Sequence, residues 1–255
     1  MHLKPLFSIA RLSFRAAFGE RLLQLAAVFA GVLLLLTLAT SQLAPLAERK
    51  VLVDFGLATL HAVGLVIGLF QGAQDLPREL DRRTLYVVLS KPVDRLAIVL
   101  GKFLGVWAAV VVMTGLMAIA LVGCMGLLRV ALHPAHLVAM ALGTIEVGLV
   151  LAIGMCFSLL TSPTVATLYT GLVFLLGHQT GVIRTYGLQE GGFSRLWTEV
   201  FYRVVPNLEV LNMRNMAVYG VLPPRAQVFA AALQGMAWVV CVLTVSSVVF
   251  RSREL

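Results

Sequence analysis

The stretch Asp75-Leu76-Pro77-Arg78-Glu79-Leu80-Asp81-Arg82-Arg83-Thr84-Leu85, continuing through Ser90-Lys91-Pro92-Val93-Asp94-Arg95 to Gly101-Lys102, decides how the rest of the chain is read. It holds ten charged residues and lies between two of the most apolar segments of the sequence. Charges are costly in hydrocarbon, so a polar connection between two membrane-length runs must lie in water or against another protein. A docking element is the expectation. Asp75 or Leu76 is expected to start a helix with Pro77 in its first turn, where a missing N–H does no harm. Glu79 and Asp81 precede Arg82 and Arg83, the order that suits the helix dipole. Leu85, Val88 and Leu89 give a short apolar face before Pro92 stops the helix.

The flanking composition agrees. The chain is 60% hydrophobic, only 13% charged and has a mean hydropathy of +0.94, which excludes a water-soluble domain. The expected fold class is all-α: a polytopic membrane protein, one transmembrane domain over residues 1–255 with six transmembrane helices at 22–43, 55–74, 96–128, 137–161, 164–183 and 226–250. The charged segment 75–95 joins the second and third spans, and Lys102 near the start of the third is expected to snorkel toward the interface. Pro45, Glu48, Arg49, Lys50 and Asp54 read as a polar turn before the second span, in which Gly64, Gly68 and Gly72 repeat every four residues as a small-residue stripe. Ser162-Pro163 is a tight break, so the fourth and fifth spans should form an antiparallel hairpin.

Residues 1–21 read as an amphipathic interfacial helix. Leu3, Leu6, Phe7, Ala10, Phe14, Ala17 and Phe18 mark an apolar face beside a polar stripe of Lys4, Ser8, Arg11 and Arg15, which suits the headgroup layer. A plain extension of the first span is the alternative. The polar lead-in and the poor cleavage site around residues 39–44 favour a retained helix over a signal peptide. Residues 184–225 form a long extracytoplasmic segment in which 194–204 suggest a second interfacial helix carrying Trp197, Phe201 and Tyr202. The tail after residue 250 is too short for a domain.

Six spans put both termini on one side, together with Lys4, Arg11, Arg15, Arg21, Arg78, Arg82, Arg83, Lys91, Arg95, Lys102, Arg251 and Arg253. The short loops of the other side hold Arg49, Lys50 and Arg129. That bias places the termini and the charged segment in the cytoplasm. The formal charge of +8 therefore points to an anionic bilayer and not to nucleic acid.

Catalytic motifs are missing. Gly101-Lys102-Phe103 lacks the Ser or Thr and the upstream glycine of a phosphate-binding loop, so any ATP and Mg must be bound by another chain. No catalytic residue and no metal site is expected. Cys124, Cys156 and Cys241 sit in apolar runs and read as packing residues, as do the scattered methionines. His133 and His136 could meet a metal, although solvated loop histidines explain them as well. Glu146 is the acid in the middle of a span. It could line a translocation path with His178 and Gln179 or relay protons, or it could simply be hydrogen-bonded to a neighbouring helix.

Glu79, Arg83-Thr84-Leu85, Leu89-Ser90-Lys91-Pro92, Arg95 and Gly101-Lys102 together resemble the pattern after the second span of type-two ATP-binding-cassette (ABC) exporter permeases. There it runs Glu, Gly-Thr-Leu, Leu-Ser-x-Pro, Arg and Gly-Lys; Arg83 stands here where glycine is usual, a departure that bears on the local turn. Pro206-Asn207-Leu208-Glu209 is similar to an outer-loop signature of the branch that matures multicopper enzymes such as nitrous-oxide reductase. The resemblance implies a multi-pass permease of the bacterial cytoplasmic membrane, a homodimer, and docking on a cytoplasmic ABC ATPase. The coupling residues would be Asp75, Glu79, Arg82, Arg83, Thr84, Leu85, Ser90, Lys91, Pro92, Arg95 and Lys102. A periplasmic accessory protein would meet Trp197, Pro206, Asn207 and Glu209. Two other readings stay open: an ion-coupled secondary transporter using Glu146, and a non-transporting scaffold that relays ATP hydrolysis to a periplasmic partner.

Overall fold

The computed structural model describes residues 3–19, 28–29, 31–32, 35–36, 39, 48–81, 95–190 and 192–252. Among them all regular structure is helical. In chain order these are α1 (Leu3–Ala17), α2 (Glu48–Asp81), α3 (Arg95–Leu127), α4 (Pro134–Ser158), α5 (Pro163–Glu190), α6 (Gly192–Val204), a 3-10 turn (Glu209–Leu211), α7 (Arg214–Val218) and α8 (Arg225–Ser252). Four stretches are long and apolar enough to cross a membrane: Lys50–Asp75, Leu96–Leu127, Pro134–Ser158 and Arg225–Ser252. The expected first span, 22–43, lies mostly outside the described residues. The expected fifth is carried by α5, but its threonines, His178 and Gln179 lower its hydropathy, so it is not among the four.

Helix α4 is the hub, with α2, α3, α5 and α8 all packed against it. The glycine stripe of α2 makes the closest of these approaches. A methyl group on Gly68 would stand 2.9 Å from Val147 Cγ1 and 3.1 Å from the Val147 carbonyl oxygen. On Gly72 it would stand 2.6 Å from the carbonyl oxygen of Leu151 and 3.3 Å from Gly154 Cα. At Gly72 the two backbones therefore meet with no side chain between them, as small-residue stripes allow in lipid, where packing rather than hydrophobicity drives helix association. Beside this seam Leu52, Leu57 and Leu60 of α2 and Val110, Met113, Met117 and Leu121 of α3 form one buried cluster. Ile98, Val99, Phe103, Leu149, Ala152, Leu208, Val239 and Phe250 belong to another, which joins α3, α4, α8 and the segment after α6. Met113, Met117, Met125 and Met155 are all buried, as packing methionines should be.

Other expectations change. The polar turn expected at residues 45–54 is helix from Glu48 onward, because its charges find partners on the segment after α6: Asp54 pairs with Arg214 at 3.1 Å and Lys50 lies over the Tyr219 ring at 5.1 Å. No new helix begins at Asp75 or Leu76. Instead α2 runs unbroken past Pro77 to Asp81, leaving Pro77 inside the helix near its end. The α4–α5 hairpin has the expected tight connection at 159–162, with Pro163 opening α5. Cys124 is buried and Cys156 half-buried, whereas Cys241 faces outward on α8.

Helix α1 ends at Ala17 and lies along α3. Glycines again permit this. A methyl on Gly105 would collide with the Ala10 carbonyl, and one on Gly101 would come within 3.0 Å of the Leu6 carbonyl oxygen. The buried face includes Ser13, while Phe7 is 73% exposed beside Arg11 and Arg15. Helix α6 has a similar character, with Leu196, Trp197, Val200 and Val204 exposed on one face and Glu199 tied to Arg184 at 3.5 Å and Arg203 at 3.3 Å.

The seam between α2 and α4 yields a direct test. Gly72→Val drives a side chain into backbone that cannot yield and should destabilise the protein by about 1–3 kcal/mol, the usual scale of overpacking. Gly115→Ala, where nothing lies within 4 Å, should be neutral or slightly stabilising. Thermal unfolding midpoints in detergent distinguish the two.

Candidate functional site

Two polar clusters are embedded in this apolar frame. The first lies where α2 and α3 approach the charged segment. Lys102 is 2% exposed and its Nζ donates to Asp75 Oδ2 at 3.1 Å. The expected snorkelling of Lys102 is thereby corrected. Packing of α1 over Gly101 and Gly105 covers this face of α3, and a carboxylate on α2 supplies the countercharge a buried ammonium requires. The helices that enter and leave the charged segment are thus clamped to each other. Of the other coupling residues expected from the sequence, Glu79 lies in the last turn of α2 and Arg95 begins α3. Arg82, Arg83, Thr84, Leu85, Ser90, Lys91 and Pro92 lie outside the described residues.

The second cluster occupies the middle of the bundle. Glu146, at the centre of α4, is 0% exposed. His61 on α2 places Nε2 3.2 Å from Oε2, and His178 on α5 places Nε2 3.3 Å from Oε1. Both contacts have ion-pair distances, yet neither carboxyl oxygen has a well-aligned hydrogen bond. The His178 ring is oriented by its other nitrogen, Nδ1, 3.2 Å from the Phe174 carbonyl oxygen, and it stacks at a tilt on Phe174. Gln179, one residue on, is exposed and takes no part. The sequence reading of Glu146 left its partners open and overlooked His61. The signal was there, since the second, fourth and fifth spans each carry one mid-span residue able to exchange a proton.

The geometry of the outer segment is equally specific. Leu208 is fully buried and its N–H donates to the Gly177 carbonyl at 3.1 Å, while a methyl on Gly177 would meet Leu208 Cδ1 at 2.8 Å and the Pro206 carbonyl oxygen at 2.9 Å. The Pro206-Asn207-Leu208-Glu209 stretch is therefore pinned to α5 beside His178. Trp197 and Glu209 face outward, Asn207 is half-buried, and Pro206 is buried.

His133 and His136 are not solvated loop histidines. His133 caps α4, its Nδ1 accepting from the Ala135 N–H at 3.3 Å, and His136 Nδ1 accepts from the His133 N–H at 3.1 Å with its ring buried. Among the described residues no group of three or more His, Cys, Asp and Glu is arranged to hold a metal ion. In the Glu146 cluster the two imidazoles approach different carboxyl oxygens.

The Asp75–Lys102 clamp has a measurable signature. Asp75→Asn strands a buried ammonium and should cost about 3–5 kcal/mol, whereas adding Lys102→Met to Asp75→Asn should restore most of the loss, because an apolar replacement removes the charge that needed a partner. A double-mutant cycle on unfolding midpoints measures this.

No curated protein matches the chain. A family model described as ABC-2 family transporter protein matches residues 13–255, which takes in α2 through α8 and both polar clusters. With its apolar membrane-length helices and nearly whole-chain match, this protein belongs to the ABC-2 transporter family, whose members are membrane permease subunits of ABC transporters.

Proposed function

We propose that the chain is a homodimeric, six-span permease of the bacterial cytoplasmic membrane, with both termini cytoplasmic, that docks one ABC ATPase per subunit through residues 75–95 and exports a substrate or drives assembly of a periplasmic metalloenzyme. The observation that carries the docking reading is the clamp between Asp75 and Lys102. It joins α2 to α3 at the base of the charged segment, and α2 continues as helix from Asp75 to Asp81. Force applied to that segment therefore reaches two long helices at once, one of which is fused to the hub α4 along the glycine seam. Packed interfaces shift between discrete arrangements and do not deform smoothly, so such a lever can pass a stroke across the bundle. ATP and Mg are held by the partner, where phosphoryl transfer takes place. The maturation role rests on the resemblance of residues 206–209, and the exposed Trp197 and Glu209 give a periplasmic accessory protein a surface to meet.

The test uses the full-length chain co-expressed with its ATPase. Glu79→Ala or Arg83→Ala should weaken retention of the ATPase on purification by about tenfold or more, the scale of losing an interface hot spot, with the unfolding midpoint of the permease unchanged. Undiminished co-purification with both variants would count against docking through this segment.

A further inference from the structure

His61, Glu146 and His178 lie in the interior of the bundle, and their chemistry stands whether or not an ATPase docks at residues 75–95. A carbonyl oxygen only accepts, so the contact of His178 Nδ1 with the Phe174 carbonyl puts a proton on Nδ1. A neutral imidazole has a single N–H. Its Nε2 then carries no hydrogen to offer Glu146 Oε1, 3.3 Å away, on a carboxyl group with no exposure to water. An uncompensated buried anion is strongly unfavourable. One additional proton removes the difficulty, either on the carboxyl group, which is then neutral, or on an imidazole, which then supplies the countercharge.

Among the described residues no fixed cation is placed to do this instead. On α2, Arg49 and Lys50 stand at the start of the helix, Lys50 over the Tyr219 ring, and Asp54 and Asp75 are engaged with Arg214 and Lys102. On α3 the cations are Arg95, which begins the helix, and Lys102, bound to Asp75, and on α5 Arg184 is bound to Glu199. On α8 Arg225 and Arg251 stand at the two ends, and Cys241 faces outward. On α4 itself His133 caps the N-terminal end, with His136 buried in the first turn, and Cys156 lies near Ser246. Among the described residues, the two imidazoles are the ionisable groups that reach the acid.

A route for the proton is also present. His61 is 20% exposed and lines a cavity of about 20 Å³, room for a single water, with Leu57, Gly143, Asn212 and Arg214 among its walls. Arg214 in turn pairs with Asp54.

We propose that His61, Glu146 and His178 form a proton-binding site buried in the permease, loaded through His61 from the end where Asp54 meets Arg214. The bound proton links three helices, α2, α4 and α5. Any movement of α2 that withdraws His61 from Glu146 changes how tightly the proton is held, and by reciprocity the proton biases that movement.

Equilibrium unfolding of the full-length chain in mixed micelles, wild type against Glu146→Gln, tests the site. Glutamine keeps the shape of the side chain but exchanges no proton. A proton held at Glu146 in the folded chain and exchanged with water in the unfolded one makes the ratio of the two unfolding constants change with pH, by up to about tenfold per unit. A ratio that is the same at every pH at which both chains fold overturns the proposal. His178→Gln, measured in the same way, decides the matter should the Glu146 variant fail to fold. Zinc added to wild type must leave stability unaltered; a zinc-dependent rise that Glu146→Gln abolishes would identify a metal site and overturn the proton reading. The route is tested by proton uptake after a pH jump, which should be slower in His61→Gln, and equal rates overturn it.

Discussion

The contact on which the rest of the structure depends is the backbone-to-backbone approach of α2 and α4 along Gly68, Gly72 and Gly154. In hydrocarbon two helices gain little from burying apolar side chains against each other, so close van der Waals contact must supply the cohesion. Glycine permits that contact. With Gly72 lying on Leu151 and Gly68 on Val147, the register of α2 on α4 is set. That register brings His61 opposite Glu146. A side chain in the seam would part the helices and separate the acid from one of its two imidazoles.

The same principle recurs at lower cost elsewhere. Gly101 and Gly105 seat α1 on α3, and Gly177 seats Leu208 on α5. Each recess admits a segment that carries charge nearby: α1 covers the helix bearing Lys102, and the Leu208 stretch lies next to His178. Small residues therefore do more than tighten the bundle. They allow ionisable groups to be held in the interior by partners close enough to compensate them, which isolated spans could not provide.

Much of this was legible in advance, for reasons that differ from residue to residue. Four of the six apolar runs, the glycine repeat of α2 and the break at Ser162-Pro163 are local signals that correspond to features of the fold. The polar turn at residues 45–54 was misread because Asp54 and Lys50 looked solvated, whereas their partners, Arg214 and Tyr219, lie more than a hundred residues away in the chain. Pro77 suggested a helix start, but a proline near the end of a long helix removes one hydrogen bond without ending it there. Lys102 looked like a snorkelling cation because nothing nearby in sequence foretells that α1 covers its side of α3.

By itself the sequence determined that this is an α-helical membrane protein, where its charges concentrate, and which transporter family it resembles, because hydropathy, charge and short motifs are properties of neighbouring residues. Only the tertiary structure decided that Asp75 holds Lys102, that His136 is buried behind the His133 cap, and that Glu146 sits between His61 and His178. The physical reason is that a buried charge is tolerated according to what faces it from other helices, and helix facing is set by packing register, here fixed by glycines whose role becomes visible once two backbones are brought together.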